Sequence, residues 1–471
     1  MQRTFTEGTI LFISVLKWFL LASCIGIIVG SSTYLFLEIL KYAFAASTNT
    51  PYYFLFLPLA FFTSSLIIKY ISKDAGGYGT EKIIEAVHKN SGKIKAFVVP
   101  AKLLATIITL AAGGSVGKVG PSAQIGAGLS SIFAGLFGFS DTDRKKLVIC
   151  GISAGFAAVF GAPIAGAIFG IEVLFVGALM YDVLLPSFVA GIVAFQVSSS
   201  LGTTYIHHAV DFAPVFSESF FIIVAISGIF FGLCSYLLIE AMKRGKKFSS
   251  SIKIWPPFKA LIGGCILVAL VFLFSTDYLG LGEETIRGAL AGEEVVWYAF
   301  LMKIVFTVIT FSSGGTGGVI TPIFFIGATA GAVFAMVLGL NIATFSAIGF
   351  VSLLAGAVNT PITGSILALE FFGPEIGSYA AVACIVSFLI TGHRSIFSSQ
   401  LVALKKSASI DLELGKEVEN ITPIFKERGR SVMEALLWAR DKVKVKYPGK
   451  STGVAEKKKA LDKKSGKEKL E

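Results

Sequence analysis

The chain writes one unusual pattern twice. Gly114-Ser115-Val116-Gly117-Lys118-Val119-Gly120-Pro121, followed by Ile125-Gly126-Ala127, returns about two hundred residues later as Gly315-Thr316-Gly317-Gly318-Val319-Ile320-Thr321-Pro322, followed by Ile326-Gly327-Ala328. Two further pairs flank it in the same order. Gly77-Tyr78-Gly79-Thr80-Glu81 matches Gly280-Leu281-Gly282-Glu283-Glu284, and Ala162-Pro163-Ile164-Ala165-Gly166 through Ile171-Glu172 matches Thr360-Pro361-Ile362-Thr363-Gly364 through Leu369-Glu370. Self-similarity of this kind marks a tandem of two homologous halves.

The solvent of this fold follows from composition. Over 471 residues, 54% are hydrophobic and only 15% charged, with a mean hydropathy of +0.77. Such a chain belongs in a lipid bilayer. Apolar stretches long enough to cross roughly 30 Å of hydrocarbon run over 10–44, 52–71, 180–201, 217–241, 257–274 and 375–391. The stretches 100–112, 121–138 and 361–372 are shorter and interrupted by Gly or Pro. Short, broken helices at matching places in two halves point to a substrate site at mid-membrane depth.

Residues 1–10 lack the basic start, apolar core and small-residue cleavage site of a signal peptide, so the first apolar run reads as a retained helix. Cys24, Cys150, Cys234, Cys265 and Cys384 are scattered without metal-type or paired spacing and read as small buried apolar side chains. His88, His207, His208 and His393 form no ligand cluster, and no phosphate loop or nucleophile with a base is visible. The expectation is no cofactor, no metal and no enzymatic chemistry. The net charge of +11 gathers at the end, where 426–471 holds fifteen Lys or Arg, including Lys457-Lys458-Lys459 and Lys463-Lys464. This reads as a solvated cytoplasmic tail with a short helix over 431–438, too short for a paired regulatory domain, and not as a nucleic-acid site, since aromatic platforms are missing. Arg144-Lys145-Lys146 and the basic segment 243–253 make two more connections cytoplasmic by the same rule.

A backbone that leaves the helix inside hydrocarbon has to bury its amides in protein or turn them toward a polar cavity. Each Gly-rich loop leads into an apolar helix, so free N–H groups and the positive helix end are presented at depth. That is the construction of an anion site. Glycine permits close approach, and proline fits the first turn where no N–H is needed. The competing reading is that the glycines only allow tight helix packing.

From 9 to about 414 the chain resembles the CLC family of chloride channels and chloride/proton antiporters. Gly117-Lys118-Val119-Gly120-Pro121 is similar to that family's Gly-Lys/Arg-Glu-Gly-Pro segment, and Gly318-Val319-Ile320-Thr321-Pro322 to its Gly-x-Phe-x-Pro segment. Phe160-Gly161-Ala162-Pro163 through Glu172 resembles the helix that follows, and Asn359-Thr360-Pro361 through Glu370 its second-half counterpart. The resemblance implies an all-α, polytopic integral membrane protein of two inverted-topology repeats, whose broken helices meet at a central anion site. It also implies a homodimer with one pore per subunit. Permeating anions would meet the main-chain amides of Lys118, Val119, Gly120, Val319 and Ile320, with Tyr78, Gly79, Thr80 and Phe397 lining the inner side.

The departures from the family pattern carry the functional expectation. Antiporters of the family hold a glutamate at the position of Val119, where it competes with the anion and takes the external proton, and a second, internal relay acid at the position of Val173. Valine does neither task. Glu172, Glu81 or Glu370 would have to supply another proton route, yet Glu172 and Glu370 occupy equivalent repeat positions, which favours a shared structural role. The family's serine and tyrosine at the inner anion site fall at Tyr78 and Phe397. Tyr78 either offers its hydroxyl to the anion or packs elsewhere, and Thr80 is a further donor. Lys118 and Arg394 are candidates for drawing anions inward.

The expected organisation is a cytosolic segment 1–8, a first repeat over 9–210, a second over 211–405 and a basic cytosolic tail over 406–471, with both termini cytoplasmic in a plasma (inner) membrane. The expected function is passive, proton-uncoupled conduction of chloride, other halides or nitrate. An anion/proton antiporter with a displaced proton path, or a fluoride/proton exchanger of the same fold, is the alternative. An intramembrane enzyme and a transport-dead scaffold are the rivals from other classes.

Overall fold

The computed structural model describes residues 2–48, 50–205 and 217–425. His207, His208, the expected repeat boundary at 210/211 and the basic run 426–471 with its expected short helix lie outside the described residues. The first half contributes α1 (Gln2–Thr48), α2 (Leu57–Tyr70), α3 (Thr80–Lys89), α4 (Val98–Ala111), α5 (Val119–Leu136), α6 (Asp141–Phe160), α7 (Pro163–Glu172) and α8 (Leu184–Ser200). The second contributes α9 (Glu218–Ser251), α10 (Pro256–Leu273), α11 (Glu283–Leu290), α12 (Ala299–Ser313), α13 (Ile320–Leu338), α14 (Ile342–Val358), α15 (Pro361–Phe372) and α16 (Pro374–Thr391). The two series match helix for helix.

The repeated fold follows from repeated punctuation. α6 starts where Ser140 Oγ accepts the Asp143 N–H at 3.2 Å, and α14 where Asn341 Oδ1 accepts the Thr344 N–H at 2.9 Å. Such caps satisfy donors that a helix start leaves open. Both helices then end on a left-handed residue, Gly161 at φ 72° and Asn359 at φ 58°. In both, a proline opens the next helix two residues later, at Pro163 and Pro361. Glycine and asparagine are the residues that take such an ending without steric cost, and proline's fixed φ suits a first helical turn.

Among the described residues, seven helices or helix pairs are long and apolar enough to cross a membrane: Thr6–Ser47, Tyr53–Tyr70, Tyr181–Ser200, Glu218–Ser251, Pro256–Leu273, Ile320–Leu338 and Pro374–Thr391. Six coincide with the stretches read from the sequence, and the seventh is α13. Helix α1 starts at Gln2, so the expected 1–8 segment is helical from its second residue. Packing is also repeated: α5 lies on α6 and α13 on α14, while α1 lies on α8 and α9 on α16. Close approach in the first pair rests on small residues, since a Cβ on Gly126 would stand 2.5 Å from the Gly151 carbonyl oxygen.

Cys150, Cys234 and Cys384 are buried as expected, but Cys24 and Cys265 lie exposed on α1 and α10. A small apolar side chain on a spanning helix is as well placed against lipid as against protein, so hydropathy alone does not fix its direction. One compact unit holds residues Met1–Lys406 together with Glu413–Ile421. Within it, Phe175–Val176 pairs in parallel with Leu401–Val402 just past α16. A second unit contains a two-residue antiparallel ladder, Ile410–Asp411 with Ile424–Phe425.

Candidate anion site between the two repeats

The two Gly-rich loops meet each other directly. The Gly117 N–H donates to the Gly318 carbonyl at 2.6 Å, and the Gly318 N–H returns a bond to the Gly117 carbonyl at 2.7 Å, an antiparallel bridge with one residue from each repeat. Only glycine allows this approach: a Cβ on Gly117 would lie 2.5 Å from Thr321 Oγ1, and one on Gly318 2.6 Å from the Gly120 nitrogen. The bridge is reinforced symmetrically. Thr310 Oγ1 accepts the Ser115 N–H at 3.2 Å, and Thr109 Oγ1 accepts the Thr316 N–H at 3.3 Å.

This crossing sets two helix starts side by side. α5 begins at Val119 after the N-cap Lys118, and α13 at Ile320 after the N-cap Val319, and neither cap residue supplies a side-chain acceptor. The third helical residue is proline in both, so the donors concentrate at Lys118, Val119 and Gly120 in one helix and at Val319, Ile320 and Thr321 in the other. Val119 and Ile320 are fully buried. Uncapped amides with the helix dipole behind them attract an anion.

A third helix start completes the arrangement. Gly79, at φ 79°, is the N-cap of α3, and a Cβ there would lie 2.7 Å from the Gly120 carbonyl oxygen. Thr80, the first residue of α3, is fully buried and its hydroxyl has no hydrogen-bond partner. The same holds for Thr321, which is 5% exposed. Buried hydroxyls are normally paired, so these two are donors in reserve at the crossing. The ring of Tyr78 packs edge-on against Phe311 of α12, with centroids 4.8 Å apart. Phe397 is fully buried, and its neighbour Ser398 donates to Glu81 Oε1 at 2.6 Å, tying that segment to the first turn of α3.

Two side chains that the sequence reading passed over hold the carbonyls of these loops. Lys102 of α4 is fully buried and donates to the carbonyls of Gly77 at 2.8 Å and Gly317 at 3.2 Å. Lys303 of α12, also fully buried, donates to those of Tyr278 at 3.1 Å and Gly280 at 3.0 Å. Both stand twelve positions before the matched glycines Gly114 and Gly315, and that register was the signal available in the sequence. Lys102 thus ties the turn ahead of α3 to the loop ahead of α13, and Lys303 holds the turn ahead of α11.

The remaining acids are accounted for. Glu172, at the end of α7, accepts the Ile362 and Thr363 amides at 3.0 and 2.8 Å and the Thr363 hydroxyl at 2.6 Å, so it caps α15. Glu370, at the end of α15, accepts the Ile164 and Ala165 amides at 2.9 and 2.8 Å and caps α7. Each repeat thus caps the other through the equivalent carboxylate. Val173 is fully buried, and its carbonyl accepts Gln400 Nε2 at 2.7 Å. Lys118 is paired with Glu283 at 2.8 Å, and the exposed Arg394 lies over the Tyr236 ring at 4.9 Å.

Comparisons with known proteins identify the family and the fold. The family model described as voltage gated chloride channel matches residues 59–392. A chloride/fluoride channel protein of Pseudomonas syringae pv. tomato is 36% identical over 400 residues, covering 83% of this chain and 88% of that protein. A voltage-gated ClC-type chloride channel, ClcB, of Escherichia coli O81 is 28% identical over 64% of this chain and 75% of its own length. Among solved structures, a CLC-type fluoride/proton antiporter superposes with a TM-score of 0.79 at 26% identity, covering 83% of this chain and 99% of its own. A slow cyanobacterial Cl−/H+ antiporter shares the fold at a TM-score of 0.69 and 20% identity, covering 79% of this chain and 94% of that one. The chain belongs to the voltage-gated chloride channel family, the CLC family of anion transporters.

Proposed function

We propose that this CLC protein conducts chloride and similar small anions passively, without moving protons, through one pore per subunit. The observation that carries the reading is the pair of uncapped helix starts at Val119 and Ile320, joined by the Gly117–Gly318 bridge, with a valine where a tethered carboxylate would compete with the anion. Lys118, Val119, Gly120, Val319 and Ile320 are assigned to the anion through their amides, and Thr80 and Thr321 through their hydroxyls. Tyr78, Gly79 and Phe397 are assigned to the inner side. Dipoles without a fixed carboxylate give binding that is favourable yet shallow, as conduction demands.

The absence of proton coupling rests on two positions. Val119 and Val173 carry no titratable group, and Glu172 spends both of its oxygens on the start of α15. A second reading has a specific observation in its favour: the structural neighbour at 26% identity is a fluoride/proton antiporter. On that reading the proton would travel through Glu81 or another acid. We extend the main reading to a homodimer in a plasma (inner) membrane with both termini cytoplasmic, no cofactor and no enzymatic chemistry. Basic segments at 144–146 and 243–253 support that orientation. The test is chloride efflux from proteoliposomes with internal pH followed in parallel. Efflux driven by a potassium diffusion potential, with no proton uptake and no dependence on a protonophore, supports the reading, and proton uptake in step with chloride loss overturns it.

A further inference from the structure

The same repeat register that aligns the anion-binding loops sets two side chains against each other across the repeats. Counting from the bridge, Lys118 is equivalent to Val319, and Thr80, the first residue of α3, is equivalent to Glu283, the first residue of α11. Each short helix therefore presents its first residue near the start of the pore helices. One of them presents a hydroxyl and the other a carboxylate. Glu283 Oε1 lies 2.8 Å from Lys118 Nζ, with the side chains 38% and 23% exposed, and its other oxygen is 3.8 Å from Arg287 on the next turn of α11.

We infer that the Lys118–Glu283 pair is an electrostatic gate at one mouth of the pore, in which the Glu283 carboxylate competes with the permeating anion for the Lys118 ammonium. Lys118 is the N-cap of α5, so an anion approaching the Val119 and Gly120 amides passes the charge next to them. With Glu283 in place that charge is neutralised, and the mouth offers a dipole-lined path of low affinity. When the carboxylate releases the ammonium, the charge is available to the anion. This carboxylate stands on the other repeat and meets the Lys118 ammonium at the N-cap of α5, not the amides themselves. Its surroundings leave few rivals for the role. Helices α13 and α14, which pack on α11, carry no titratable side chain. The charges facing Glu283 are Lys118 and Arg287, with Glu284 beside it and Lys303 behind Gly282, where a Cβ on the glycine would come within 3.3 Å of its Nζ.

The inference rests on the anion-conducting reading, and the experiment separates the two. Chloride currents or efflux are recorded as a function of chloride concentration for the wild type, Glu283→Gln, Lys118→Gln, Lys118→Arg and the double variant Lys118→Gln/Glu283→Gln. Loss of an ion pair of this exposure is expected to move an equilibrium by roughly two- to fivefold. The expected result is opposite shifts: half-saturating chloride falls by about that factor in Glu283→Gln and rises by about that factor in Lys118→Gln. Lys118→Arg, which keeps the charge, shifts less than Lys118→Gln, and in the double variant Glu283→Gln has no further effect. Shifts in the same direction, or none with normal expression and monodispersity, overturn the gate and assign the pair to structure alone. A wild type without anion flux overturns the conducting reading itself.

Discussion

Replacing Glu172 separates a structural acid from a proton carrier. Glu172→Ala removes the acceptor for the Ile362 and Thr363 amides and the Thr363 hydroxyl, all at the start of α15, from a residue that is 4% exposed. The hydroxyl can turn to another acceptor, but the two amides are fixed by the helix. At about 1–3 kcal/mol for a buried group left unpaired, and less at Ile362, which is 42% exposed, the expected loss is about 2–4 kcal/mol. Glutamine keeps one acceptor oxygen and turns an NH2 toward the other amide, so Glu172→Gln is expected to cost about 1–3 kcal/mol. Glu370→Ala is expected to cost less than Glu172→Ala, because Glu370 is itself only partly buried whereas Glu172 is 4% exposed. The assay is the monodisperse fraction of detergent-purified protein after heating, paired with chloride efflux per mole of folded protein. The expected order of stability is wild type, then Glu172→Gln, then Glu172→Ala, with efflux per folded molecule and its pH profile unchanged in Glu172→Gln. Wild-type stability in Glu172→Gln together with an altered pH profile would refute the capping role.

Val119→Glu places a carboxylate at the first residue of α5, where it competes with the anion. Chloride efflux at neutral pH is expected to fall at least tenfold and to recover as pH drops toward the ordinary glutamate value near 4.3; wild-type efflux at neutral pH would contradict this. Lys102→Met and Lys303→Met each release two loop carbonyls, and lower chloride affinity together with reduced thermal stability is expected, measured by titration calorimetry and heating of the purified variants. Thr321→Val removes a buried hydroxyl with no partner, so stability is expected to hold or rise while half-saturating chloride increases; unchanged affinity would remove Thr321 from the site. Gly318→Ala forces a methyl group 2.6 Å from the Gly120 nitrogen, and overpacking of this kind costs about 1–3 kcal/mol. Its expected signature is loss of efflux with at least partial retention of folded protein, read by efflux and size-exclusion chromatography.

The fold was legible wherever the chain repeats its own punctuation. Pro163 and Pro361, Gly161 and Asn359, and the two glycine runs mark the same boundaries in both halves, and their meaning is local: a fixed φ, a left-handed ending, a close approach. The helix starts at Val119 and Ile320 were legible for the same reason, since each follows a glycine loop and carries a proline at its third position. The equivalence of Glu172 and Glu370 pointed to a shared structural role, and the reciprocal capping of α15 and α7 gives it a form. What escaped the sequence are contacts with no period. Lys118 with Glu283, Gln400 with the Val173 carbonyl and Ser398 with Glu81 join residues 165 to 317 positions apart. Their partners are chosen by how the repeats fold onto each other, which no window along the chain contains. Lys102 and Lys303 were concealed differently. A lysine within an apolar run reads as an interruption until its acceptors, the loop carbonyls, are in place. The directions of Cys24 and Cys265 escaped because lipid and protein interior are equally apolar.

Proton-uncoupled anion conduction is tested most directly by the reversal potential of the purified protein in a planar bilayer under a fixed chloride gradient, measured with and without an added pH gradient. The account predicts a reversal at the chloride equilibrium potential that stays in place when the pH gradient is imposed. A reversal displaced from that value and moving with pH would contradict it, and would direct attention to a proton path through Glu81.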